Sequence, residues 1–231
     1  MLLEPTTAVP SRDYPSARYV APFVLFLVFL AISPRLPLDP RWEAPLRVVL
    51  LGAVCFVCWP REITVWPSHW LASIGIGAAV FLLWIAPDLL IPGYRDLPLF
   101  SNAVVGHAHL PLAAPGLHTP WMLTWRTARA VVVVPVVEEL FWRAWLMRWL
   151  INTDFRRVPL GAYSPLSFWL TAILFASEHG PYWDVGLLTG IIYNLWMIRS
   201  KSVADCILMH AVTNALLSAY VITQGQWQYW Q

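Results

Sequence analysis

Apolar runs succeed one another along this chain, and the segments outside them hold most of its arginines and prolines. The runs cover about 19–32, 46–59, 68–87, 121–150, 165–179, 185–198 and 203–223. Each membrane crossing consumes about 20 apolar residues, so the pattern predicts an all-α, polytopic transmembrane helix bundle of about seven to eight membrane helices. Only 12% of the 231 residues are charged, against about 25% in an ordinary soluble domain. Tryptophans such as Trp59, Trp66, Trp121, Trp149, Trp183, Trp227 and Trp230 lie near run ends, where interfacial belts form.

The same reading divides the chain into an N-terminal tail (1–18), N-terminal membrane helices (19–120), a helix core (121–223) and a C-terminal tail (224–231). A retained first helix fits better than a cleaved signal, since Glu4 and Asp13 precede the apolar core and no small-x-small site follows it. The second run is short and must recruit its flanks, with Arg47 or Arg61 reaching to the headgroups. Between 88 and 120, five prolines (Pro92, Pro98, Pro111, Pro115, Pro120) mark an extramembrane connection. Its His107, His109 and His118 read as solvated loop residues. Arg12, Arg18, Arg61, Arg148, Arg156, Arg157, Arg199 and Lys201 fall on one side of a seven-helix topology, and Arg35, Arg41, Arg47 and Arg95 on the other. The imbalance favours a cytoplasmic N-terminus.

A net charge of +2 without a basic cluster argues against nucleic acid. Cys55 and Cys58 lie inside an apolar run with no βαβ pattern around them, and so read as packing residues. Gly75 with Ala79, and Gly186 with Gly190, read as helix-contact positions.

Ionisable groups inside hydrocarbon are costly, and four sets stand in the second half of the chain. Glu139 and Arg143 are four apart on one helical face and can pair. Glu138, rotated by about 100°, has no basic residue within a turn and shares its face with Val134, Phe141, Trp142 and Trp145. That setting suits a proton acceptor. Pro135 just upstream opens the helix and frees a carbonyl. Phe175 and His179 are again four apart, at a helix end before Gly180–Pro181. His210 and Asn214 repeat the spacing mid-helix on a face with Ile207 and Leu217. Together they supply a carboxylate, two imidazoles and a carboxamide. This inventory fits attack of an activated water on a carbonyl, with donors left for the oxyanion. It equally fits a zinc site, and spacing leaves both open.

These residues resemble the CAAX-processing and bacteriocin-processing (CPBP, or Abi) intramembrane proteases, which include the Rce1-type CAAX prenyl endopeptidases. Glu138, Glu139 and Arg143 match Glu-Glu-x-x-x-Arg; Phe175 and His179 match Phe-x-x-x-His; His210 and Asn214 match His-x-x-x-Asn. The bacterial, exosortase-associated CAAX prenyl protease-related subgroup is the most similar, with Ala144 standing where many members carry glycine. The resemblance implies a CPBP-type catalytic core and a metal-independent glutamate protease without a cofactor. By motif position, Glu138 and His179 would activate water, His210 and Asn214 would hold the oxyanion, and Glu139, Arg143 and Phe175 would orient them. It further implies a membrane-anchored or lipidated protein substrate and a multi-pass location, in the bacterial cytoplasmic membrane. A non-catalytic membrane scaffold or immunity-type protein of the same fold and a zinc-dependent membrane protease are the alternatives.

Overall fold

The computed structural model describes residues 14–35, 37–107 and 118–230. Seven helices account for most of it: α1 (Ala17–Ile32), α2 (Pro40–Cys58), α3 (Trp70–Leu90), α4 (120–149), α5 (Pro165–Ser177), α6 (Trp183–Ser200) and α7 (Val203–Gln224). Among the described residues there is no strand, only one isolated bridge between Asn102 and Gly106. The helices coincide with the seven apolar runs. Two of them, α3 and α7, are long and apolar enough to cross a membrane on those grounds alone; α1 and α5 are shorter apolar helices. His109 lies outside the described residues, as does most of the tail 1–18.

Helix starts are written in cap residues followed by proline. Asp39, Thr119 and Ser164 each accept a hydrogen bond from a backbone N–H of the first turn, and Pro40, Pro120 and Pro165 follow them. Ser202 caps α7 through the Asp205 N–H. At the other end of α7, Gly225 sits at φ +67°, a left-handed conformation that turns the chain back toward the bundle.

Helix α4 is not regular. Two π-helical stretches, Arg129–Val133 and Leu140–Leu146, flank the short α-helical piece Val134–Glu139. The Val134 N–H bonds the Arg129 carbonyl, five residues back. In that register the next donor, for the Ala130 carbonyl, would be residue 135, and Pro135 has no N–H. The freed carbonyl expected from Pro135 is therefore that of Ala130.

Polar contacts fix how the helices run. Asp205 accepts from the Ser68 and His69 N–H groups at 2.9 and 2.8 Å and from the Ser73 hydroxyl at 3.0 Å, so α3 and α7 start together and run parallel. A Cβ on Gly77 would lie 2.5 Å from the Met209 carbonyl oxygen, so only glycine allows this approach of α3 to α7. The expected contact at Gly75 and Ala79 is corrected: both are exposed, nothing lies within 4 Å of a Cβ on Gly75, and Gly77 faces the partner helix. Helix α4 runs antiparallel to α7, and α1 packs along α4 with Phe23 stacked on Phe141 at 3.9 Å. On α5 and α6, Asn194 donates to the Phe168 carbonyl at 2.9 Å, and a Cβ on Gly190 would meet the Ala172 backbone at 3.1 Å.

Two further expectations change. Arg47 does not reach outward; it is buried and bonds Glu43, one turn away on the same helix, and the Ser33 hydroxyl. Asp88 belongs to α3 rather than to the connection, and it pairs with Arg95 at 3.1 Å. The outward faces of α2, α3 and α5 expose Phe56, Leu82 and Ile173, an apolar surface of the kind that meets lipid.

Candidate active site

All four residues expected to do chemistry line one cavity of about 230 Å³: Glu138 from α4, His179 from the end of α5, and His210 and Asn214 from α7. One water occupies about 30 Å³ of liquid, so the space admits several waters or part of a peptide. Trp84, Thr189, Tyr193, Thr213, Tyr229 and Trp230 complete much of the wall.

Glu138 and Glu139 are neighbours with opposite surroundings. Glu139 is fully buried, and its Oε1 accepts from Arg143 Nη1 at 3.1 Å and from His210 Nδ1 at 2.8 Å. The guanidinium carbon of Arg143 lies 4.4 Å from the centre of the Phe175 ring and 5.2 Å from that of Tyr193, so two aromatic faces hold the cation. Glu138 is 7% exposed, and its Oε2 is buried without a hydrogen-bond partner among the described residues. Arg148, a conceivable partner for either acid, instead donates to the Ala144 carbonyl and packs its guanidinium near the rings of Tyr19 and Phe155.

The imidazole tautomers follow from their partners. His179 Nδ1 lies 2.8 Å from the Phe175 carbonyl, which can only accept, so Nδ1 carries the proton and the neutral ring keeps a lone pair on Nε2. The same bond caps the last turn of α5, so the capping and site readings of His179 coincide. Gly186 makes room for it: a Cβ there would stand 3.2 Å from three atoms of the ring side chain. His210 likewise donates from Nδ1, to Glu139, and has Nε2 left over. Asn214 donates one amide N–H to the Ala130 carbonyl at 2.7 Å, the acceptor left open by Pro135, and retains a second N–H.

Four wall residues lie outside the three motifs. The Trp84 indole donates to the Thr189 hydroxyl at 2.9 Å, with its ring centre 5.3 Å from that of His179. Its position three residues from the end of its apolar run gave no local sign of this; a buried indole needs an acceptor, and Thr189 on α6 is that acceptor. Tyr193 donates to Thr213 at 3.0 Å, and the Thr213 hydroxyl bonds the Gly77 carbonyl at 3.0 Å. Among the described residues no group of three or more His, Cys, Asp or Glu side chains is placed to hold a metal ion.

One family model, Type II CAAX prenyl endopeptidase Rce1-like, matches residues 120–216. No curated protein and no solved structure matches the chain. The matched stretch runs from the first residue of α4 through His210 and Asn214, and so takes in every cavity residue expected from the motifs. Over 120–216 the chain is therefore similar to the Rce1-like family of CAAX-type, membrane-embedded proteases.

Proposed function

We propose that the protein is a multi-pass intramembrane endopeptidase that hydrolyses a peptide bond of a membrane-anchored or lipidated protein, with Glu138 and His179 activating the water. The observation that carries this reading is the buried Oε2 of Glu138, without a partner among the described residues, in one cavity with His179, His210 and Asn214.

Water sits between Glu138 and His179 Nε2, both of which can accept its protons. Its oxygen attacks the substrate carbonyl while Glu138 takes one proton, which then passes to the leaving amine. The oxyanion is met by the second N–H of Asn214. His210, held at Nδ1 by Glu139, faces the same cavity and is assigned with Asn214 to the oxyanion site. Arg143 and Phe175 hold Glu139 and the end of α5 in register, which makes them positioning residues. No bond to the protein forms and no metal or cofactor takes part.

A placement with seven crossings is supported by the alternating direction of successive helices and by α3 and α7, each long and apolar enough to span a bilayer of about 30 Å. Arg18, Arg61, Arg156, Arg157, Arg199 and Lys201 gather at one end, which we assign to the cytoplasmic side of a bacterial inner membrane.

The test is mass-spectrometric detection of cleavage of a peptide with an isoprenylated cysteine by purified protein in liposomes, with and without 1,10-phenanthroline. The expected result is cleavage that is indifferent to the chelator. Chelator-sensitive cleavage restored by zinc would make it a metalloprotease. No cleavage of any membrane-anchored peptide would favour a non-catalytic scaffold.

A further inference from the structure

Past the end of α7, the turn Trp227–Trp230 folds back across the open side of the cavity. Trp227 stacks on His118 at 4.0 Å, and the Tyr229 hydroxyl donates to Asp88 at 2.5 Å. Tyr229 and Trp230 both line the cavity that holds Glu138. The backbone carbonyl of Trp230 accepts a hydrogen bond from Arg126, whose guanidinium carbon also lies 5.1 Å from the Trp230 ring. A stretch of peptide is thus already seated on an arginine at the rim of the site.

Arg126 belongs to the stripe of α4 that forms the cavity wall. Ala130, Val134 and Glu138 follow it at intervals of four, and all three line the space. Arg129 lies within electrostatic reach of Arg126 and Arg47. The acid in that neighbourhood is Glu43, which Arg47 already binds. Among the described residues neither Arg126 nor Arg129 meets a carboxylate at hydrogen-bond distance. Arg126, held against Trp230 at the edge of the cavity, thus meets no acid among the described residues, and a guanidinium in that position suits an anion.

We propose that Arg126, backed by Arg129, is the subsite that receives the terminal carboxylate of a peptide, and that Trp227–Trp230 occupies this subsite until a substrate displaces it. The assignment of that peptide as a substrate rests on the hydrolase reading above. A guanidinium matches a carboxylate with two parallel N–H···O bonds, which the single carbonyl of Trp230 cannot use in full. Twelve residues of helix separate Arg126 from Glu138, about 18 Å of rise. About five residues of extended peptide span that distance, and fewer once the arginine's own reach is taken off. The bond cut therefore lies within about five residues of the substrate's C-terminus.

The experiment measures binding rather than turnover, so that a failure of the hydrolase reading and a failure of this one remain distinct. Full-length protein carrying Glu138→Gln, to silence cleavage, and Tyr229→Ala, to loosen the turn, is placed in nanodiscs of zwitterionic lipid. Fluorescein-labelled Trp-Gln-Tyr-Trp is titrated in two forms, with a free carboxylate and as the C-terminal amide. The carboxylate form is expected to bind at least tenfold more tightly. Arg126→Gln should level the two forms, and Arg126→Lys should keep part of the preference. Equal or undetectable binding of both forms, which needs no Arg126 variant, overturns the proposal. So does a preference that survives Arg126→Gln. If Arg126→Gln instead changes only binding to phosphatidylglycerol vesicles, the site serves a lipid headgroup and the peptide assignment is wrong.

Discussion

The two adjacent glutamates should respond to the same substitution in opposite directions. Glu139→Gln removes the charge shared by Arg143 and His210 and leaves a guanidinium with no exposed surface and no counterion. Breaking a buried pair from one side costs about 3–5 kcal/mol. For a chain of this size each kcal/mol lowers the melting temperature by about 2–4 °C, which gives a drop of about 6–20 °C. Glu138→Gln replaces a carboxylate whose buried Oε2 has no partner with a neutral amide of the same shape. A neutral amide is less costly to bury than a charge, so this variant should melt at or above the unsubstituted protein. Tryptophan emission follows both transitions in purified protein, since the chain carries 15 tryptophans. If Glu138→Gln melts as low as Glu139→Gln, Glu138 is part of the structural ion network and the division of labour between the two acids is wrong. If Glu139→Gln leaves the melting temperature unchanged, the bond from His210 to Glu139 is not what holds α4 to α7.

Other perturbations reach the same construction from different sides. Gly77→Ala forces a methyl against the Met209 backbone and should destabilise by about 1–3 kcal/mol, read by the same melting assay. Gly186→Ala presses on the His179 ring; its effect should appear in the cleavage rate more than in the melting temperature. Asn214→Leu strands the Ala130 carbonyl, with an expected cost of about 1–3 kcal/mol in stability beside the loss of rate. At Glu62, in the loop between α2 and α3, burial works against the charge. The Tyr19 hydroxyl at 2.6 Å, with Arg148 and Arg156, outweighs it and holds the carboxyl below its ordinary value. Such a group stabilises the fold above the unfolded value of about 4.3, and that contribution fades as the pH falls through the folded one. Melting temperatures measured from pH 7 down to pH 3 should therefore fall less steeply in Glu62→Gln.

The helices were legible because an apolar run has one economical solution in a membrane, and each observed helix lies on an expected run. The Glu139–Arg143 pair was legible because helical spacing alone brings them together, even though π-helical turns surround it. Pro135 announced a freed carbonyl but not its identity, which depends on the π register, nor its partner, Asn214, 84 positions away. The Glu139–His210 bond was hidden for the same reason, since no periodicity relates α4 to α7. Gly75 and Gly77 look alike in sequence, and only the placement of α7 distinguishes them. Arg47 was expected at the headgroups because the second run looked short. The helix instead begins at Pro40 and brings Glu43 one turn below the arginine. The segment 224–231 reads as a tail, and nothing local to it reveals that Trp227–Trp230 lies against the cavity.

The central claim is that Glu138 takes a proton from the attacking water. Its most direct test is the initial rate of peptide cleavage by purified Glu138→Gln beside the unsubstituted protein, in the same liposomes and with matched melting temperatures. Loss of a positioned general base should slow cleavage by about 10²–10⁴-fold. A Glu138→Gln protein that cleaves at the parent rate would contradict it.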